Sequence, residues 1–190
     1  MLAINHVSWL DIMVVHAVLP QARFVSKADV RGWPLIAKMV DAAGTLYVQR
    51  ENKRDAMRVV HEAAEALQAG DTVAVFPEST TSTGHGVLPF HANLLQAAIA
   101  AGRPVQPVAL RYSDATHAVS AAMEFIGDTT LLQSLWGAAS GEGVVARLQF
   151  LPARSTTGVD RRRLAAALRA DIAAALPAVQ PGASPPPAAA

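Results

Sequence analysis

Apolar positions along this 190-residue chain fall into short dense runs separated by longer periodic stretches. The runs at 2–4, 22–25, 45–48, 72–76, 105–110 and 144–150 have the β-branched and aromatic bias of strands. Between them, 9–19, 32–43, 52–69, 90–101 and 160–176 read as helices. The third of these has the best stripe: Ala56, Val59, Val60, Ala63 and Leu67 recur at i, i+3, i+4, i+7 and i+11. Arg58 and Glu62 form an i, i+4 pair on its other face, and Gly70 ends it. Ser8 suits the N-cap of the first helix. Strands alternating with helices predict an α/β layered domain, a mixed and largely parallel sheet flanked by helices. Residues 113–143 lack a dominant period and predict one helix near 131–136 within loop. Residues 177–190 carry five prolines and no charge. They read as a disordered tail, leaving a domain over 1–176.

Composition narrows the function. Hydrophobic residues make up 52% and charged ones 16%, enough for one core and too apolar for a disordered chain. Sixteen Lys and Arg against fifteen Asp and Glu give a net charge of +1, which argues against a nucleic-acid binder. The absence of cysteine removes thiol nucleophiles, disulfides and cysteine metal sites. No basic segment opens the chain as in a signal peptide. The longest apolar stretch, 9–19, contains Asp11 and His16 and is too short to span a bilayer.

Half of the basic residues lie between 20 and 60: Arg23, Lys27, Arg31, Lys38, Arg50, Lys53, Arg54 and Arg58. They read either as solvated faces or as facing anionic lipid or ligand. Trp9, Trp33, Leu35, Ile36 and Met39, rimmed by Arg31 and Lys38, form either an interfacial patch or a core-facing helix.

Three constellations could carry chemistry. In Asn5-His6-Val7-Ser8-Trp9-Leu10-Asp11, a fully helical segment would set His6 and Asp11 about 140° apart. With His6 in a strand-to-helix turn and Asp11 on the first helical turns, the carboxylate can hold the His6 Nδ1 proton and leave Nε2 as a base; the same residues also fit a surface loop and helix with an incidental His. Phe76-Pro77-Glu78-Ser79-Thr80 follows a strand and reads either as a ligand-contacting loop, where α/β sheets place such groups, or as a strand end with a helix cap. In 44–50, Arg50 after a strand suits a phosphate or carboxylate, or a solvated place beside Glu51.

These blocks, in this order, resemble the glycerophospholipid acyltransferase family, of the 1-acylglycerol-3-phosphate acyltransferase type found in bacteria. Asn5, His6 and Asp11 match its Asn-His-x4-Asp block. Lys27-Ala28-Asp29-Val30 is similar to its Lys-x-Glu-Leu run, and Gly44 and Arg50 match its Gly-x5-Arg run. Phe76, Pro77, Glu78 and Thr80 match Phe-Pro-Glu-Gly-Thr, and Pro107 its Pro-containing strand. Ser79 stands where the pattern has Gly, Thr81 where an Arg often follows, and Gln49 where Asp is common. The first block usually lies after an upstream membrane-associated segment; here it starts at residue 5, which suggests a short or truncated start.

The resemblance implies an O-acyltransferase domain over 1–176. A fatty acyl group would pass from acyl-CoA or acyl carrier protein to the free hydroxyl of a lysophospholipid, with 1-acylglycerol-3-phosphate the leading acceptor. Alternatives are another lysolipid such as a lyso-amino-acid lipid, or a catalytically weak lipid-binding protein of the same fold. His6 would be the base and Asp11 its orienting partner. Asn5, Lys27, Gly44, Arg50, Phe76, Pro77, Glu78, Ser79 and Thr80 would form the substrate site, with Arg50 and Glu78 acting on the acceptor. No metal, organic cofactor or nucleic acid is implied. His85 and His91 are badly spaced for zinc. The expected location is the cytoplasmic face of a bacterial inner membrane, held peripherally.

Overall fold

The computed structural model describes residues 1–27, 45–48 and 53–176. Its elements run β1 (Leu2–Ile4), α1 (Asp11–Val18), β2 (Ala22–Lys27), β3 (Leu46–Val48), α2 (Lys53–Gln68), β4 (Thr72–Val75), α3 (Leu95–Ala100), β5 (Gln106–Ser113), a 3-10 turn (Ala121–Met123), α4 (Leu131–Ser140), β6 (Val145–Phe150) and α5 (Arg161–Ala175). The six strands form one sheet in the order β3-β2-β4-β1-β5-β6. Every neighbouring pair is parallel except β5 with β6. The expected mixed, largely parallel sheet is therefore present.

Alternation along the strands builds two apolar layers. Ala3, Val73 and Val75 point to a core shared with Val59, Ala63 and Leu67 of α2, Leu95 of α3, and Leu164 and Leu168 of α5. Leu2, Ile4, Ala74 and Phe76 point the other way, to Val15 of α1, Phe24, Leu110 and Met123. Burial on both faces is why the central strands read as nearly continuous apolar runs. From β1 the chain moves outward to β2 and β3, returns to β4, and crosses β1 to reach β5. That reversal makes the carboxyl ends of β1 and β4 the topological switch point, where open α/β sheets bind ligands.

Several expectations change. The first helix begins at Asp11, not near Trp9, and Ser8 is not its N-cap, a place taken by Leu10. Residues 8–11 form a turn in which Asp11 N–H donates to the Ser8 carbonyl. The helix is delayed because the Asp11 carboxylate reaches back to the preceding loop, as shown below. The fourth expected helix, 90–101, shrinks to Leu95–Ala100, since His91 N–H is tied to the Pro77 carbonyl. The helix near 131–136 extends to Ser140. Trp9 is half-buried, and its indole donates to Ser134 Oγ at 3.0 Å. The other residues of the expected interfacial patch (Arg31, Trp33, Leu35, Ile36, Lys38 and Met39), the helix expected at 32–43 and the tail at 177–190 lie outside the described residues. Among those described, no helix is long and apolar enough to cross a membrane.

Candidate active site

The site forms where β1 ends. Asn5, fully buried, extends the sheet by one residue with its side chain. Its Nδ2 donates to the Leu110 carbonyl at 2.8 Å and its Oδ1 accepts from Leu110 N–H at 2.7 Å. This two-point bond mimics a backbone pairing and sets the direction in which His6 leaves the strand.

His6 then meets Asp11 as the sequence suggested. His6 Nδ1 lies 2.7 Å from Asp11 Oδ2. The same oxygen accepts the N–H groups of Val7 at 2.7 Å and Ser8 at 3.0 Å. Asp11 Oδ1 accepts the Tyr112 hydroxyl at 2.7 Å. Four donors hold a fully buried carboxylate, and its place at the start of α1 adds the favourable end of the helix dipole. An ionised Asp11 accepts only, so the proton between the two side chains sits on His6 Nδ1 and Nε2 is left with a lone pair. The imidazole face is covered by Phe76, stacked with ring centroids 4.3 Å apart.

Glu78 is also buried. Its Oε1 accepts His6 N–H and its Oε2 accepts Leu88 N–H, both at 2.7 Å. Its two oxygens are engaged in bracing the His6 loop against the 87–88 segment. Both carboxylate oxygens are thus occupied by backbone donors. Burial raises its carboxyl above the ordinary Glu value, opposed by those two N–H donors. On the other side of the loop, the His6 carbonyl accepts from Ser82 N–H at 2.8 Å and Ser82 Oγ at 3.0 Å. The 87–88 segment is held in turn by α5: Arg169 Nε and Nη2 donate to the Val87 and Leu88 carbonyls at 2.7–3.0 Å.

The remaining residues of the block divide. Pro77 is buried and its carbonyl receives His91 N–H. Ser79 has φ +64°, the left-handed region that glycine occupies without penalty, which explains why the resembling motif has Gly there. Thr80 is exposed. Thr81, where that motif is followed by Arg, donates its hydroxyl to the Phe125 carbonyl. Gly84 has φ +76°, and a Cβ there would press on Val7 and Val119 at 3.4 Å. Lys27 ends β2. Gly44 and Arg50 lie outside the described residues. Among those residues, no group of three or more His, Cys, Asp or Glu converges as a metal site would require.

Tyr112 and Ser82 were missed from sequence. Tyr112 had a signal: it continues the i, i+2 alternation of Val108 and Leu110, two residues past the end assigned to that strand. Ser82 had none, because its role depends on a loop fold that no local pattern encodes.

A family model described as Acyltransferase matches residues 1–111, which contain His6, Asp11 and Glu78. The chain belongs to the acyltransferase family. Among related acyltransferases, it is 41% identical over 151 residues to a 1-acyl-sn-glycerol-3-phosphate acyltransferase of Neisseria meningitidis, covering 80% of this chain and 58% of that protein. It is 39% identical over 161 residues to a lyso-ornithine lipid O-acyltransferase of Pseudomonas aeruginosa, covering 85% and 61%. The chain thus spans about three-fifths of the length of these acyltransferases. The fold matches the crystal structure of a 1-acyl-sn-glycerophosphate acyltransferase from Thermotoga maritima with TM-score 0.62 and 21% identity, over 92% of this chain and 64% of that one.

Proposed function

We propose that this chain catalyses acyl transfer from a thioester to the free hydroxyl of a lysolipid, with His6 as general base. The observation that carries the reading is the His6–Asp11 pair, fixed by Tyr112, Val7 and Ser8 on one side and by Glu78 and Ser82 on the other. A hydroxyl is a weak nucleophile at neutral pH, and base assistance contributes roughly 10²–10⁴ in rate. His6 Nε2 takes the hydroxyl proton as the oxygen attacks the thioester carbonyl. Asp11 stabilises the imidazolium that forms. The tetrahedral adduct then collapses, its C–S bond breaks, and the imidazolium returns the proton to the departing thiolate. Ester and thiol are the products, and no covalent acyl-enzyme is needed.

The leading acceptor is 1-acylglycerol-3-phosphate, the substrate named for the Neisseria relative. A second reading, a lyso-ornithine lipid, has its own support. The Pseudomonas relative is nearly as similar, and position 81 holds a Thr tied to Phe125 rather than an Arg available to a phosphate. The donor is an acyl thioester of coenzyme A or acyl carrier protein, and the enzyme works at the surface of the cytoplasmic leaflet. Purified protein given each donor with each acceptor tests this. Ester product with at least one pair is expected. Free fatty acid alone would mean that His6 activates water, and the transferase reading would fall.

A further inference from the structure

Helix α4 is turned inside out. Leu132, Leu135, Trp136 and Ala139 recur at i, i+3, i+4 and i+7, the spacing of a core-facing stripe. Yet Leu132 is 80% exposed, Trp136 75% and Leu135 40%. The inward face carries small groups instead: Ser134 is buried, and Ala138 packs against the core layer of α1 and Phe24.

This orientation is locked. Ser134 Oγ holds the Trp9 indole. A Cβ on Gly137 would lie 3.0 Å from the Ala122 carbonyl oxygen, and one on Gly141 would lie 2.8 Å from Val144. The helix therefore approaches the 3-10 turn more closely than a larger residue allows, and rolling it would drive bulk into that turn. Thr130 and Gln133 close a capping box at its start, so it is ordered without burying its apolar stripe.

We propose that the outward face of α4 inserts into the interfacial layer of a lipid bilayer and seats the active site on the membrane. The choice of occupant rests on the lysolipid-acyltransferase reading above, since a lysolipid is met in a bilayer. Three observations favour lipid over protein. The three large side chains expose on the order of a few hundred Å², well under the roughly 800 Å² per partner of a stable protein interface. The helix has no charged residue from Leu131 to Ser140, which suits the acyl–headgroup boundary, and Trp is the side chain most at home there. Finally, the patch is bonded to the active-site loop: Trp9 lies three residues after His6.

The test uses the full chain and phosphatidylcholine vesicles, at about 0.1 M and about 1 M salt, where the screening length falls from about 10 Å to 3 Å. Wild-type protein should co-sediment at both, because insertion of an uncharged stripe is not screened. Leu132→Gln combined with Trp136→Gln should weaken binding at least roughly tenfold. Met57→Gln, an equally exposed apolar site on α2 at 74%, should leave it unchanged. Unchanged binding in the double variant, or no binding by wild type, would overturn the proposal. So would a dimer seen by light scattering that the double variant abolishes, since a second copy would then cover the face. Turnover on a short-chain, water-soluble lysolipid separates the two claims. Its absence in the wild type would sink the acyl-transfer reading, while the vesicle result decides the membrane face by itself.

Discussion

At the scale of single residues, the site is a carboxylate problem. Asp11 is buried, and a buried charge is tolerable only when donors replace the water it has lost. Val7 and Ser8 supply backbone donors, His6 the ring N–H and Tyr112 the hydroxyl. Each can be removed in a different way. His6→Ala should cut turnover by roughly 10²–10⁴ with an unchanged circular dichroism spectrum, because the ring borders the site and is not part of the core. Asp11→Asn should be nearly as damaging, since an amide no longer fixes the Nδ1–H tautomer. Turnover near wild type in His6→Ala would end the proposed mechanism. Tyr112→Phe keeps the apolar volume and deletes one donor. Bonds to charged groups are worth about 1.5–3 kcal/mol, so denaturant unfolding should show a loss in that range. The rate constant kcat should fall, with little change in KM, because Tyr112 touches Asp11 and not substrate.

At the scale of elements, the His6 loop is held by structure distant in sequence. Glu78 follows β4, Ser82 lies in the next loop, and Arg169 of α5 grips the segment whose Leu88 N–H holds Glu78. Helix α5 matters to the site although the family match ends at residue 111. Its N-cap offers a clean test. Asp160 accepts the N–H groups of Arg162 and Arg163, and these donors hold its carboxyl below the ordinary aspartate value of 3.8. A lowered carboxyl contributes stability above its unfolded value and loses it as pH falls through the folded one. Thermal unfolding of Asp160→Ala should therefore show a lower Tm than wild type through neutral pH. That gap should close on acidification below the ordinary aspartate range. A gap independent of pH would mean that charge is not what Asp160 contributes.

At the scale of the whole molecule, β1 is the keystone of a sheet assembled from distant segments. It pairs with β4 on one side and β5 on the other, and Asn5 prolongs the second pairing through its side chain. Asn5→Ala would leave the Leu110 N–H and carbonyl unpaired in a dry interior. The expected cost is about 2–4 kcal/mol by denaturant unfolding, with loss of turnover as His6 loses its exit direction. A fully active and equally stable Asn5→Ala protein would show that β1 and β5 hold the loop without it.

The sequence by itself determined what depends on nearest neighbours and on period. The six strands and four of the five described helices follow from apolar patterning, because burial of one stripe or of alternating positions is a local demand. The His6–Asp11 pair was legible only through its match to the family's Asn-His-x4-Asp block, since the spacing alone also fits a loop with an incidental His. Only the tertiary structure decided the rest. Glu78 carries the same motif whether it faces solvent or the core; its burial against His6 and Leu88 follows from the meeting of β1, β4 and the 87–88 loop. Tyr112 becomes a partner of Asp11 only when β5 is laid beside β1, 101 residues apart in sequence. Helix α4 lies in a region without a dominant period, and the outward orientation of its apolar side chains is set by contacts with Trp9 and Ala122. Periodicity reports that a face is apolar; what covers that face depends on contacts between segments far apart in the chain.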